Sequence, residues 1–118
     1  MAGVVQIPWY ATLWRGDRLA AALEEIAPIA TRYGATDYRL YRNRDDMYKF
    51  LHLITFEDKS AFDAYWYGQE LNDWRTIYSG YYQVPVLYTW NDLIASGGLA
   101  LDAVSTVAAG ESARGEIV

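Results

Sequence analysis

The sequence contains no cysteine and a single histidine, His52. Disulfides and thiolate chemistry are therefore excluded, and a zinc site would lack its usual ligands. The absence of cysteine fits a reducing compartment and hence a cytoplasmic location. Basic residues are outnumbered, 10 Lys and Arg against 15 Asp and Glu, for a formal net charge of -5 and a pI near 4.7. That balance argues against nucleic acid, which calls for a basic patch, and against an anionic membrane surface. No apolar run reaches the roughly 18 residues a membrane span needs. Met1 to Pro8 shows neither the basic nor the apolar region of a secretory leader. A phosphate-binding loop is missing too, because Ser96-Gly97-Gly98 lacks the strand–loop–helix context. With one histidine and no nucleophile elbow, no catalytic triad can be assembled. Proline is scarce, at three residues.

Aromatic residues are abundant instead: 11 Tyr, 5 Trp and 3 Phe, or 16% of the chain. The 118 residues correspond to one domain, which cannot easily bury so many large rings alone. Some of them are expected to line a cavity or a subunit interface, where an apolar ring with a polar tip is useful.

Periodicity divides the chain into two strand–helix–strand units. A first strand is expected over Trp9 to Arg15, entered from Val4, with regular pairing beginning after Pro8. Gly16-Asp17 turns the chain, with Asp17 as N-cap. A helix follows from Arg18 to Tyr33, with Leu19, Ala22, Leu23, Ile26 and Ala30 on one face, a kink at Pro28 and a stop at Gly34. The second strand, Ala35 to Arg42, is polar enough for an edge. Asn43 to Asp46 forms a hairpin turn into an apolar third strand, Met47 to Phe56, which reads as central. Asp58 caps a helix that Gly68 interrupts, and a second piece runs from Gln69 to Ser79. The last strand is expected over Val84 to Trp90, at an edge because of Pro85. Residues 1–92 thus form the domain. Residues 93–118 form a tail, flexible or docked on a neighbouring subunit, with a short helical pattern from Leu99 to Ala109.

Phe50-Leu51-His52-Leu53-Ile54-Thr55-Phe56-Glu57-Asp58, followed by Ser60-Ala61-Phe62-Asp63-Ala64-Tyr65, resembles the dimeric α/β barrel superfamily, in its antibiotic-biosynthesis-monooxygenase-like branch. The resemblance covers Trp9 to Trp90. It implies an α+β, ferredoxin-like βαββαβ fold, a four-stranded antiparallel sheet with helices on one face. It also implies that two copies pair their sheets into a closed barrel. Relatives include cofactor-independent monooxygenases, polyketide cyclases, haem-degrading enzymes and proteins without known activity, so the fold leaves the chemistry open. The chain departs from the family pattern at Tyr65, where a histidine often stands. It departs again at Gly68-Gln69-Glu70-Leu71, in place of a Thr-Pro-His-Phe turn, and at Ile54, in place of a glutamate.

His52 and Tyr65 are the candidates for proton transfer. His52 shares a strand face with Phe50, Ile54 and Phe56, but alternation does not say whether that face is a ligand cavity or a packed core. Tyr10, Trp14, Phe50, Trp66, Trp74 and Tyr78 are the candidate ligand-binding residues, with packing as the competing role. Arg15 could clamp an anion or make a surface ion pair. No cofactor and no metal is expected. Two functions are open. One is a homodimer that binds a hydrophobic or aromatic small molecule, as a cofactor-independent monooxygenase or a cyclase. The other is a non-enzymatic assembly protein whose aromatics and tail form interfaces. Whether the chain is an enzyme is undecided at this level.

Overall fold

The computed structural model describes residues 2–99. The chain runs through β1 (Gly3–Tyr10), α1 (Gly16–Ile26), a 3-10 segment (Ala27–Tyr33), β2 (Ala35–Arg42) and β3 (Lys49–Phe56). It continues through α2 (Lys59–Trp66), α3 (Gln69–Tyr78), a 3-10 turn (Ser79–Tyr81) and β4 (Thr89–Asp92). The strands form one antiparallel sheet in the order β2-β3-β1-β4. This is the α+β, ferredoxin-like arrangement, with β1 and β3 central and β2 at an edge.

Alternation along the two central strands sorts the sheet into two faces. Val5, Ile7 and Trp9 of β1 are buried with Phe50, His52, Ile54 and Phe56 of β3. Cross-strand register sets Val5 opposite Ile54, Ile7 opposite His52 and Trp9 opposite Phe50. The helices supply Leu19, Leu23 and Ile26 from α1, Phe62, Tyr65 and Trp66 from α2, and Leu71 and Trp74 from α3, all merging with those strand residues in one core. Val4, Gln6, Pro8 and Tyr10 lie on the other, more exposed face with Lys49, Leu51, Leu53 and Thr55.

The first helix is shorter than its periodicity predicts. It stays α-helical only to Ile26 and tightens to 3-10 geometry from Ala27, with Pro28 near the new start. A proline is tolerated there because the first turn does not need its missing N–H. Gly34 closes the segment in the left-handed region at φ 101°, a conformation that favours glycine. Asp17 is not the N-cap; Arg15 holds that position without a side-chain bond. Asp17 sits in the first turn and pairs with Arg42 at 2.9 Å.

The first strand lies earlier than expected, over Gly3–Tyr10 instead of Trp9 to Arg15. Arg15 N donates to Thr12 O at 3.0 Å and closes a turn, with Trp14 at φ 68°. Pro8 falls inside the strand. It fits because β4 pairs only with Gly3 to Gln6, so β1 has no ladder on that side at Pro8. The last strand is later and shorter than the expected Val84 to Trp90. Tyr82 bridges to Ala11 and Thr89 pairs with Gln6, so seven chain steps span what β1 covers in five. The two surplus residues must loop away from the ladder, and Val84 and Leu87 are exposed.

The turn into β3 forms as expected. Asn43 Oδ1 accepts from the amides of Asp45 and Asp46, each at 2.8 Å. Asp46 Oδ1 then accepts from Tyr48 N at 3.0 Å, which delays β3 to Lys49. Asp58 caps α2 by accepting from Ala61 N at 3.0 Å. Any side chain at Gly68 would collide with the Ala64 carbonyl, so the small residue marks the break between α2 and α3. The tail's helical pattern and its docking fall mostly on residues 100–118, outside the described residues.

Two outcomes are expected from this packing. Phe62 is fully buried between Phe56 and Trp66, with centroids 5.8 Å away in each case. Phe62→Ala should cost about 3–5 kcal/mol in urea unfolding. The Ser60 hydroxyl and then the Ala61 amide hold the Asp58 carboxyl below its usual range. Its contribution is therefore complete above the unfolded carboxyl's pKa and fades as pH falls through the folded one. The difference in Tm between wild type and Asp58→Ala should shrink accordingly in acid.

Candidate functional site

His52 points into the helix side of the sheet, where only 1% of its surface is accessible. The Trp9 indole donates to its Nδ1 at 3.3 Å. Its Nε2 is the one buried side-chain N or O without a hydrogen-bond partner among the described residues. Burial disfavours the imidazolium and lowers the pKa to about 4. His52 is thus a neutral imidazole through the physiological range.

Tyr65 is also sealed in the core, and its hydroxyl donates to the Ile26 carbonyl at 2.9 Å. Burial pushes its pKa up. As it stands, this hydroxyl serves as a brace between α2 and the end of α1.

Around Trp9, the hydrogen-bond partner of His52, the rings form a connected set. Trp9 lies 6.0 Å from Trp66, 5.5 Å from Trp74 and 5.0 Å from Tyr82, centroid to centroid. Tyr82 stacks on Trp74 at 5.8 Å and 12°. Trp74 donates to the Ala22 carbonyl at 2.8 Å, which ties α3 to α1. The Arg75 guanidinium covers Trp66 at 4.5 Å, a cation–π contact. Tyr78 borders the set, 5.5 Å from Trp74, with its hydroxyl on Glu25 at 2.8 Å. Phe50 is buried on the same strand face, and Arg42 covers its ring at 5.2 Å.

Two of the expected ligand-binding residues lie elsewhere. Tyr10 is on the open sheet face and donates to Asp46 at 2.6 Å. That bond to a carboxylate raises its pKa. Trp14 is 82% exposed in the Thr12–Arg15 turn, outside the strand in which it was expected. Arg15 donates to Thr12 Oγ1 at 3.3 Å. Two members of the ring set, Trp9 and Tyr82, were not expected as site residues. The alternation Val5-Ile7-Trp9 signals the first, but only if the strand is started at Gly3. Nothing local signals Tyr82, which follows a 3-10 turn.

One depression borders this core and another lies on the open sheet face. A groove of about 220 Å³ between α1 and α3 is walled by Ile26, Trp74 and Ile77 and rimmed by Glu25, Glu70 and Asp73. A second, of about 430 Å³, lies where Gln6, Pro8, Tyr41, Lys49 and Leu51 meet. Among the described residues, no three His, Asp or Glu side chains converge as a metal would require. No described helix is long and apolar enough to cross a membrane.

No protein-family model matches the sequence, and no curated protein does. Solved structures do match in fold. PA3566 from Pseudomonas aeruginosa has a TM-score of 0.71 at 15% identity, over 80% of this chain and 95% of that one. An antibiotic biosynthesis monooxygenase has a TM-score of 0.68 at 12% identity, over 80% and 100%. A variant of SnoaB, a cofactor-independent oxygenase from Streptomyces nogalater, has a TM-score of 0.70 at 11% identity, over 80% and 95%. The chain therefore has the fold of antibiotic-biosynthesis-monooxygenase-type domains. At these identities the likeness is one of fold.

Burial of His52 makes stability pH-dependent with a definite sign. Between the ordinary imidazole value near 6.5 and the folded value of about 4, the unfolded chain binds the proton and the folded chain does not. Stability should fall as pH drops through that window, by up to about 3 kcal/mol, and level off below it. His52→Leu should lose most of this slope when urea midpoints are compared at pH 7.5 and 4.5.

Proposed function

We propose that this protein is a homodimeric α/β barrel that binds a hydrophobic, ring-containing small molecule in the aromatic layer between its sheet and helices. The observation that carries the proposal is the set of facing rings, Trp66, Trp74 and Tyr82 about Trp9, which is itself bonded to a buried imidazole. A flat apolar guest would take the place Tyr82 now holds against Trp74. Access would run past residues 83–88, which lie outside any described strand or helix. The open sheet face would pair with a second copy, covering Val4, Leu51, Leu53 and Thr55, which are only half-buried in one chain.

The reaction class that suits such a layer is a cofactor-independent oxygenation or a cyclisation. The protein's part would be confinement: water is excluded and the ring is held in one orientation. The shared fold supports this reading, since SnoaB is a cofactor-independent oxygenase.

A second reading, that of a non-enzymatic assembly protein, is favoured by one specific observation. The Tyr65 hydroxyl is spent on a backbone carbonyl and His52 is sealed, so the rings could serve as core alone. The two readings separate in one titration. Adding 1-tetralone to the ¹⁵N-labelled protein should move the indole signals of Trp9, Trp66 and Trp74 saturably and leave exposed Trp14 in place. No saturable shift would leave the assembly reading standing. For the dimer, sedimentation should give twice the 13.4 kDa chain mass, and Leu53→Glu should return it to a single chain.

A further inference from the structure

We infer that the helix side of this protein carries a self-complementary docking surface, in which Trp14 of one copy enters the groove between α1 and α3 of a second copy and the two first helices lie antiparallel. Leu13 and Trp14 are 64% and 82% exposed. Trp14, at φ 68°, is the one non-glycine residue with positive φ among the described residues. A bulky residue persists in that region only where its surroundings fix it. Here they do. The Trp14 amide donates to the Tyr48 hydroxyl at 3.0 Å, Thr12 Oγ1 to the Gly80 carbonyl at 2.8 Å, and Thr12 N to the Tyr81 carbonyl at 3.0 Å. The turn is thus held firmly while it exposes a large apolar ring, as an interface anchor does.

The groove suits such an anchor. Its volume of about 220 Å³ is below the roughly 300 Å³ at which pockets for drug-sized ligands begin, and it suits a single large side chain. Ile26 and Trp74 line it, and Ile77 beside them is 67% exposed. Its rim is acidic. Glu70 is paired with Arg32 at 2.7 Å, but Glu25 and Asp73 meet neutral donors, Tyr78 and Gln69. Trp14 brings Arg15 and Arg18 with it, and Asp17 between them is paired with Arg42. Opposite charge therefore accompanies the apolar match. The outer stripe of α1 sets the direction. Arg18, Ala21 and Glu25 are exposed and lie three and four residues apart, on one side of the helix. Arg18 sits in the first turn of α1 and Glu25 in the last, the reverse of what the helix dipole favours. A second α1 running the other way sets each against its opposite, with the small Ala21 at the crossing. Counted from Ala21, Arg18 is three residues before and Glu25 four after, while Trp14 is seven before and Ile29, a wall of the groove, eight after. The antiparallel register that pairs the charges thus also carries Trp14 to the groove, in both directions, as a two-fold contact requires. This surface lies across the sheet from the face proposed for pairing, so the contact neither needs that dimer nor replaces it. With few apolar side chains it is a weak association, and it adds to the sedimenting mass only at high concentration.

The chain has no cysteine of its own, so an introduced one reports the crossing. In the full chain, Ala21→Cys should form a disulfide-linked pair under mild oxidation about tenfold faster, or more, than Ala64→Cys, an exposed alanine on α2. Trp14→Gly suits φ 68° and keeps the turn while removing the ring. Added to Ala21→Cys, it should bring linkage down to the Ala64→Cys rate. Arg18→Glu should slow linkage too, and Arg18→Glu together with Glu25→Arg should restore it. Circular dichroism checks that each variant folds. Linkage at position 21 no faster than at position 64 overturns the inference, and so does a rate that Trp14→Gly leaves unchanged. A double exchange that fails to restore the rate overturns the antiparallel register. The sheet-face dimer is read separately, from the mass of Leu53→Glu, and stands or falls on its own.

Discussion

The register that sets Ile7 opposite His52 decides what every other residue in the sheet faces. Side chains alternate with a strict period of two, so a slip of one residue would turn Trp9 outward and bring Gln6 and Pro8 under the helices. With the register as it is, Trp9 reaches rings from α2, from α3 and from the segment after the 3-10 turn. It also anchors the histidine. One indole thus links two strands, two helices and an irregular segment, and the packing on the helix side is organised around it.

The acidic composition and the wealth of tyrosine are connected. Tyr10, Tyr33 and Tyr78 each place a hydroxyl on a carboxylate: Asp46, Glu70 and Glu25 respectively. In each case the ring lies against other aromatic side chains. A small domain can hold many rings in this way, with apolar bodies turned inward and polar tips meeting acceptors at the rim. The surplus of Asp and Glu supplies those acceptors, at the expense of net charge. Glu70 also pairs with Arg32 at 2.7 Å, so it joins the 3-10 segment to α3 through two contacts.

Much of this architecture was legible in the residues. The 3.6-residue spacing of Leu19, Leu23 and Ile26, the Asp58 cap, the Gly34 stop and the Asn43 turn are local signals, and each states its own outcome. The first and last strands were less legible, because both depend on a partner strand that local patterns do not reveal. Pro8 and Pro85 look like ladder breakers, yet β1 carries Pro8 because β4 is too short to reach it. The expected strand over Trp9 to Arg15 assumed an extended chain, where Arg15 and Thr12 close a turn. The spacing of Phe50, His52 and Ile54 states that they share a face. Only the helices above them decide that this face is the buried one. The pairing of Trp9 with His52 spans 43 residues, a separation that no local pattern encodes.

The short reach of β4 has a further consequence. From Ile7 onward β1 has no strand beside it on that flank until the single bridge at Ala11. The gap is spanned by residues 83–88 of the same chain, whose surplus length leaves no ladder pairing there. Pro8 lies in the middle of this stretch and has no N–H to leave unpaired. The residue that looks least suited to a central strand therefore stands at the one stretch of that strand where an N–H would find no ladder partner.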